Sequence, residues 1–218
     1  MTLETLQSEP QKRKRGRPPK GEGQTVTRDR LVRKGIELLT ENGYASTGID
    51  KTLKAVGVPK GSFYHYFKSK DDFGRAVVEG YAQYFAAKLD KSLLDGRFKP
   101  LQRLQNFIED AKDGMARHDF RRGCLIGNMG QELGSTHDVF RAQLEAVFLD
   151  WQSRIEACLI AAQDAGEVKR DADCAELAAF FWIGWEGAIL RAKLVRSNQP
   201  LDLFAKAFFE QLPKGHKP

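Results

Sequence analysis

Cys124 is the side chain in this sequence whose setting most suggests reactive chemistry. It stands in "FRRGCLIGN", directly after Arg121, Arg122 and Gly123 and just before a helix-like apolar segment. Positive charge and the positive end of a helix dipole both favour the thiolate, which is the form of cysteine that attacks electrophiles and is oxidised. These residues leave two interpretations open: a reactive thiol of low pKa, or a small buried side chain without a chemical role.

The remaining cysteines and histidines indicate neither a disulfide framework nor a metal site. Cys158 lies on an apolar helical stripe, Cys174 has no basic neighbourhood, and the sequence contains no CxxC pair. The four histidines are scattered, and the motifs of hydrolases, metalloproteases and phosphate-binding loops do not occur. We therefore predict a protein that is not an enzyme and that needs no metal or other cofactor.

Polar residues within apolar segments are the candidates for a small-molecule pocket. A cation beside aromatic walls would suit a short anionic or enone-like effector. The alternative for Glu186 and Arg191 is a structural ion pair, and Lys193 is the residue we expect to tune or trap a modified Cys124. The candidates occur after Cys124 and in "GWEGAILRAK": Asn128, Gln131, Glu132, Trp185, Glu186, Arg191 and Lys193.

The charge of the chain is concentrated near its beginning. The net charge is +6 over 218 residues, but residues 1–70 hold 15 Lys and Arg against 7 Asp and Glu, whereas the remainder holds 20 against 22. This asymmetry predicts a head that binds a polyanion and a body that is nearly neutral. The most apolar stretch, residues 177–190, is short for a membrane span and contains Glu186, so we expect a buried helix and a cytoplasmic protein.

Residues 1–26 are polar, rich in Gly and Pro, and without helical or strand periodicity, which predicts a flexible basic arm. The arm contains Arg15-Gly16-Arg17-Pro18, which resembles the core of an AT-hook. Arg15 and Arg17 could enter a narrow A·T minor groove, or the arm could add only nonspecific affinity for DNA.

From Thr27 onward the apolar residues recur at helical spacing, and no segment alternates as a strand. The chain is predicted to be all-α, with a DNA-binding head at 27–86, an effector-binding and dimerisation body at 87–213, and a tail at 214–218. Predicted helix caps are Thr27, Thr47 and Ser69, the last in a capping box with Asp72.

Two short helical segments joined at "GVPKG" predict a helix-turn-helix, whose second helix can enter the major groove of DNA. Gly57 permits a tight turn and Pro59 restarts the chain, while Phe63 and Phe67 are predicted to pack inward. Residues expected to reach bases or phosphates are Lys60, Gly61, Ser62, Tyr64, His65, Lys68 and Lys70.

The segment "GYASTGIDKTLKAVGVPKGSFYHYFKSKDDF" resembles the DNA-binding domain of the TetR family of bacterial regulators, over residues 27–86. The resemblance implies a homodimer that binds palindromic operator DNA and is released by a small effector. Many members carry a side chain at the position of Gly48, so a contact there would come from the backbone alone. The positions that the resemblance implies to face DNA are Thr47, Gly48, Lys60, Gly61, Ser62, Tyr64, His65 and Lys70.

The stretches "FRRGCLIGNMGQE" and "FWIGWEGAILRAKL" resemble the acrylate-utilisation regulators, within a subgroup of repressors that respond to reactive electrophiles and include the N-ethylmaleimide reductase repressor. This resemblance favours a sensor role for Cys124. It also implies that the last two helices pair across a dimer, with Phe180, Phe181, Ile183, Ala188, Phe204 and Phe208 supplying apolar bulk.

The alternative to an effector-responsive regulator is an architectural DNA-binding protein that uses the hook-like arm. A helical body of this length and apolar content argues against it, because an architectural role needs no such domain.

Overall fold

In a computed structural model of the protein, residues 22–215 are described. Between these limits the chain is helical, apart from turns and a single isolated bridge between Val168 and Lys214, which confirms the all-α prediction. The helices are α1 (Glu22–Asn42), α2 (Ile49–Val56), a short 3-10 helix (Lys60–His65), α3 (Lys70–Leu93), α4 (Pro100–Ala116), α5 (Leu125–Leu133), α6 (Asp138–Asp164), α7 (Cys174–Val195) and α8 (Gln199–Gln211).

The head is built around an aromatic cluster that fixes the 3-10 helix. Phe63 and Phe67 are each 2% exposed, as predicted, and both pack against Phe73 at the start of α3, with ring centroids 5.9 and 5.0 Å away. Buried aromatic pairs of this kind stabilise a small domain beyond their apolar area. The cluster therefore holds the short helix against the head while its other side faces solvent.

Glycines end the first two helices because each must adopt a left-handed backbone. Gly43 has φ +84° after α1, and Gly57 has φ +71° after α2. The amides of Gly57 and Val58 turn back to donate to the carbonyls of Lys54 and Leu53, which satisfies the end of α2. The sharp turn of the helix-turn-helix follows from this geometry.

The predicted N-cap residue is confirmed at α3, whereas the predictions for α1 and α2 are wrong. The Ser69 hydroxyl accepts from the Asp72 amide at 3.0 Å, but the Asp72 carboxylate accepts from the amide of Lys68, one residue before the cap. The Thr27 cap is wrong, because α1 already begins at Glu22 and continues through Thr27. The Thr47 cap is also wrong, because Gly48 occupies the N-cap of α2 without a side-chain bond.

The body packs around aromatic side chains from four helices. Trp151 of α6 is fully buried, with its ring centroid 4.4 Å from Phe85 of α3 and 5.1 Å from Trp182 of α7, and Phe107 of α4 lies beside Trp182. Since α3 runs unbroken through residues 86 and 87, the head and the body share this helix. A displacement of α3 in the body is therefore a displacement of the head.

The outer faces of α7 and α8 leave apolar side chains uncovered in the single chain. Along α7, Phe180, Ile183 and Leu194 are 47%, 77% and 70% exposed, and Leu203 of α8 is 69% exposed. The apolar set inferred from sequence was only partly correct. Phe181, Ala188 and Phe208 are buried in the chain's own core and Phe204 packs against it, so these residues do not contribute exposed surface.

Helix length and polarity also bear on the membrane prediction. Among residues 22–215, none of the helices combines the length and the apolar character that a membrane crossing requires.

Candidate DNA interface and effector cavity

The outer side of the 3-10 helix presents most of the residues predicted to face DNA. Tyr64 is 71% exposed, although its ring packs against that of buried Phe63 with the ring centroids 5.4 Å apart. His65 and Gly61 are exposed beside it. Lys68 is exposed as well, whereas Ser62 is partly buried. A tyrosine anchored on an aromatic core offers a rigid ring and a hydroxyl to a ligand at small entropic cost.

Two lysines of this surface already have partners within the head. Lys60 forms an exposed ion pair with Asp50 at 2.7 Å, and the pair raises the pKa of the lysine. Lys70 lies 4.6 Å from the ring centroid of Tyr44 and donates to the Ala45 carbonyl at 3.3 Å. Exposed ion pairs of this kind are weak in water, so the Lys60 ammonium can leave Asp50 and bind a DNA phosphate instead.

Thr47 does not face the surface, contrary to the expectation from the resemblance. Its side chain is 2% exposed, and its hydroxyl donates to the Gly43 carbonyl at 2.7 Å. Thr47 therefore fixes the turn between α1 and α2. Gly48 is exposed, and a Cβ placed there would meet nothing within 4 Å, so a side chain is absent where there is room for one.

The two arginines of the hook-like motif, Arg15 and Arg17, lie outside the described residues.

A cavity of about 850 Å³ lies between the head and the body. One wall is formed by α1 of the head through Val32, Ile36 and Thr40, and the opposite wall by Trp185 and Ile189 of α7. The exposed basic side chains among its lining residues are Arg28, Arg33, Arg117 and His118. This volume is within the range of small-molecule sites. The lining combines apolar side chains with charged ones, among them Glu37, Glu79 and Lys88.

Cys124 lines this cavity at the first turn of α5. It is the N-cap of the helix, and its Sγ accepts from the Gly127 amide at 3.4 Å. The predicted position at a helix N-terminus is therefore confirmed. Of the two interpretations left open by the sequence, the structure disagrees with the thiol of low pKa and agrees that the side chain is buried. Burial, followed by the carboxylate of Glu186, raises the pKa of the thiol well above its ordinary value.

The arginines that motivated the low pKa do not reach the thiol. Arg121 is exposed, and the Arg122 guanidinium lies 3.8 Å from the carboxylate of Glu41 on α1. Sequence adjacency places both charges near Cys124, whereas in the structure Arg121 is exposed and Arg122, although it lines the cavity, is turned towards Glu41. Immediately before them, Asp119 and Phe120 adopt positive φ values of 50° and 56°, so the α4–α5 connection turns sharply.

Glu186 is the buried acid of the site. Its carboxyl lies against Gly127, where a Cβ would stand only 2.0 Å from Oε2, so glycine is required for this approach. Oε1 is buried without a hydrogen-bond partner among residues 22–215, and burial raises the pKa of Glu186 to about 7. No ion pair with Arg191 accounts for Glu186, because Arg191 is exposed on the same outward stripe as Ile183 and Leu194.

Lys193 and Asn128 lie behind the thiol and do not line the cavity. The Lys193 ammonium donates to Asn128 Oδ1 at 3.1 Å, and Asn128 Nδ2 donates to the Thr40 carbonyl at 3.0 Å. The lysine stem passes Gly123 so closely that a Cβ there would be 2.9 Å from Lys193 Cδ. Partial burial lowers the pKa of Lys193, and a negative charge at Cys124 would raise that pKa.

Sequence reasoning missed Tyr81 and misplaced Glu132. Tyr81 of α3 lines the cavity, and burial, then the nearby Cys124 and Glu186, raise the pKa of its hydroxyl. In sequence Tyr81 is one of several aromatics on a long helix, so it carried no distinguishing signal. Glu132 does not line the cavity, and its carboxylate instead binds the backbone of the head.

Within residues 22–215, His, Cys, Asp and Glu do not gather into a group of three or more that could hold an ion. The three cysteines are buried and free.

Two family models match the chain. Residues 31–77 match the bacterial regulatory proteins of the TetR family, and residues 100–208 match a tetracyclin repressor-like C-terminal domain. The two matches cover most of the head and most of the body.

Individual relatives agree with this assignment. The transcriptional regulator AcuR of Cereibacter sphaeroides is 52% identical over 205 residues, which cover 94% of each chain. The HTH-type transcriptional repressor NemR of Escherichia coli is 29% identical over 183 residues, covering 81% of this chain and 88% of that protein. A crystal structure of a regulatory protein TetR from Rhodobacter sphaeroides superposes with a TM-score of 0.82 at 52% identity, covering 86% of this chain and 99% of that one. The chain therefore belongs to the TetR family, and it is a DNA-binding transcription regulator rather than an enzyme.

Proposed function

We propose that this protein is a homodimeric repressor that binds a palindromic operator and is released from it by a small electrophilic, oxidising or unsaturated carboxylate effector. The observation that carries the proposal is the position of Cys124 in a cavity whose opposite wall is α1 of the DNA-binding head. A molecule in this cavity contacts the sensing residue and the head at once. Ligand binding and DNA binding can then favour different positions of α1, so that each weakens the other.

The exposed face of the 3-10 helix supports major-groove binding. Gly61, Tyr64 and His65 project from a segment whose inner aromatics are fixed, so the outer atoms can be presented in one geometry. The start of α2, behind Gly48, has no side-chain cap, so its first amides are suited to a phosphate. Thr47 is left out of the proposed contacts because its hydroxyl is already used inside the head.

The exposed apolar stripe of α7 and α8 supports homodimerisation. Ile183, Gly187, Leu190 and Leu194 recur at helical spacing on one face, and a Cβ on Gly187 would meet nothing within the chain. A small residue in the middle of the stripe lets a second helix approach closely. A dimer formed there would set two recognition segments about one DNA turn apart, roughly 34–36 Å.

The cavity supports an effector with an activated double bond. Addition would join Cys124 Sγ to the outer carbon of the alkene as the π bond breaks, and the thiol proton would end on the carbon next to the carbonyl, by way of solvent. An effector carboxylate would be attracted to the exposed basic side chains at the cavity, such as Arg117 and His118. Burial and Glu186 keep the resting thiol protonated, which protects it from indiscriminate oxidation.

Lys193 is the proposed partner of a modified Cys124. Its ammonium is held near the sulfur through Asn128, and a negative charge at Cys124 would raise the lysine's lowered pKa. Oxidation or alkylation of the sulfur would change the electrostatics of this pair, and through Asn128 it would reach the Thr40 carbonyl near the end of α1.

Replacement of Tyr64 by alanine should weaken operator binding by up to about tenfold, because a hydrogen bond from its hydroxyl is worth roughly 0.5–1.5 kcal/mol. The measurement is fluorescence anisotropy with a duplex from the DNA upstream of the protein's own gene. Leu149→Ala, which removes an exposed side chain from the body, is the matched control and should bind like wild type. Equal affinities for the two variants would exclude Tyr64 from the interface.

Replacement of both Arg15 and Arg17 by alanine should flatten the salt dependence of operator binding. Each lost phosphate contact reduces the slope of log affinity against log salt by roughly 0.9. Lys169→Ala/Arg170→Ala removes the same charge from an exposed turn of the body and should leave the slope unchanged. An unchanged slope in the arm variant would show that the arm does not touch the DNA backbone.

Cys124→Ser should bind the operator like wild type but should not be released by N-ethylmaleimide, because the serine hydroxyl does not add to the alkene under these conditions. Anisotropy measures release, and mass spectrometry identifies the alkylated residue. Cys158→Ser is the control, since that sulfur lies in the core and donates to the Pro100 carbonyl at 3.3 Å. Full release of Cys124→Ser would mean that the effector acts without bonding to this cysteine.

Glu186→Gln should remove a pH-dependent loss of stability. The folded pKa of about 7 exceeds the ordinary value of 4.5, so the folded protein retains this proton to higher pH than the unfolded chain. In wild type the contribution of Glu186 should be most favourable below pH 4.5 and fall by about 3 kcal/mol as pH rises to 7.

Urea denaturation at a series of pH values tests this expectation. The free energy of unfolding of the variant, minus that of wild type, should increase as the pH rises from 4.5 to 7. Glu79→Gln alters an exposed carboxyl that also lines the cavity, and it should change stability by less than about 0.5 kcal/mol. A pH-independent difference for Glu186→Gln would contradict the raised pKa.

A further inference from the structure

The short helix α5 has the sensing cysteine at one end and a bond to the DNA-binding head at the other. Cys124 is its N-cap, and Glu132 is its next-to-last residue. Nine helical residues at 1.5 Å each make a rigid element roughly 13 Å long. A shift at the first turn is therefore carried to the last turn with little loss.

Glu132 binds the turn between α1 and α2 with both carboxylate oxygens. Oε2 accepts from the Tyr44 amide at 2.7 Å, and Oε1 accepts from the Ala45 amide at 2.6 Å. Hydrogen bonds to an ionised acceptor are roughly twice as strong as neutral ones. The contact joins residues 88 and 87 positions apart, so it links the body directly to the helix-turn-helix.

The turn held by Glu132 is itself connected to the recognition segment. The Tyr44 hydroxyl donates to Asp71 in the first turn of α3, and Lys70 packs over the Tyr44 ring. These residues follow the 3-10 helix within a few positions, whereas Thr47 on the other side leads into α2. A movement of this turn therefore displaces both helices of the helix-turn-helix.

Gly43 makes the close contact possible. Its φ of +84° requires a residue without a side chain, and a Cβ there would stand 3.1 Å from Glu132 Oε2. The turn is thus shaped to receive the carboxylate.

We propose that Glu132 is the positioning residue that transmits a change at Cys124 to the DNA-binding head, by holding the Tyr44 and Ala45 amides at the far end of α5. Modification of Cys124 displaces the first turn of α5. The Glu132 carboxylate at the other end of the helix then moves or releases the turn between α1 and α2. The effect on the operator passes through this contact as well as through the cavity wall. This inference rests on the proposed function of Cys124.

Glu132→Gln is the decisive variant because it keeps the shape of the side chain while replacing one acceptor oxygen by an amide donor. Operator affinity is measured for wild type and variant by anisotropy, before and after N-ethylmaleimide, with mass spectrometry confirming the adduct on Cys124. Alkylation should weaken wild-type binding by about tenfold or more. In Glu132→Gln the operator affinity before alkylation should exceed the affinity after alkylation by less than about threefold.

Gln131→Ala is the matched control, since Gln131, although a pocket candidate from the sequence, does not line the cavity and is the exposed neighbour on the same turn of α5. It should retain the wild-type ratio. Hydrogen exchange of a peptide covering residues 43–48 supplies an independent readout: exchange should accelerate in Glu132→Gln, and in wild type only after alkylation.

The outcomes separate this inference from the function on which it rests. A wild type that is alkylated at Cys124 but not released would overturn the proposed function and the coupling with it. A wild type that is released, together with a Glu132→Gln variant that keeps the full ratio, would overturn the coupling alone. A merely structural Glu132 would lower the melting temperature and both affinities together, with the ratio unchanged.

Discussion

The burial of the Glu186 carboxyl against the first turn of α5 is the constraint on which the rest of the site depends. The carboxyl can occupy this position only because Gly127 has no side chain, and it raises the pKa of the Cys124 thiol beside it. Burial destabilises the charged forms of both groups, and Glu186 further disfavours the Cys124 thiolate, whereas the hydrogen bond from the thiol favours the Glu186 carboxylate. Both groups therefore favour their uncharged forms at rest, and an effector that adds charge or bulk beside them changes the local free energy.

The position of the cavity explains how such a change can matter for DNA. A pocket enclosed wholly within the body would have to act through several layers of packed side chains. Here α1 of the head forms one wall, α3 runs from the head through the body, and Asn128 of α5 binds the Thr40 carbonyl near the end of α1. A ligand shifts an equilibrium only by its difference in affinity for two states. A cavity whose walls belong to both parts gives the ligand that difference, because relative movement of head and body reshapes it.

The sequence predicted those features that depend on local physics. Helical periodicity, the left-handed Gly57 after α2, the Ser69 cap and the inward Phe63 and Phe67 all follow from short-range geometry. It failed where the outcome depends on the direction of a side chain in three dimensions. Arg121 and Arg122 come just before Cys124 in sequence but are not among the groups that shift the pKa of its thiol, whereas burial, and after it Glu186, 62 positions later, raises that pKa.

Misassigned residues have a common physical cause. Periodicity identifies which positions of a helix are apolar but not which of two apolar faces meets the chain's own core, so Phe181 and Ile183 seemed equivalent although one is buried and the other 77% exposed. Polar residues carry the same ambiguity: Arg191 lies on the outward stripe, Glu186 on the inner face, and Glu132 beyond the cavity. The direction of each is set by the helices that pack around α5 and α7. It follows that a sensing site in this fold is defined less by its reactive residue than by the surrounding helices, which determine which charges that residue meets.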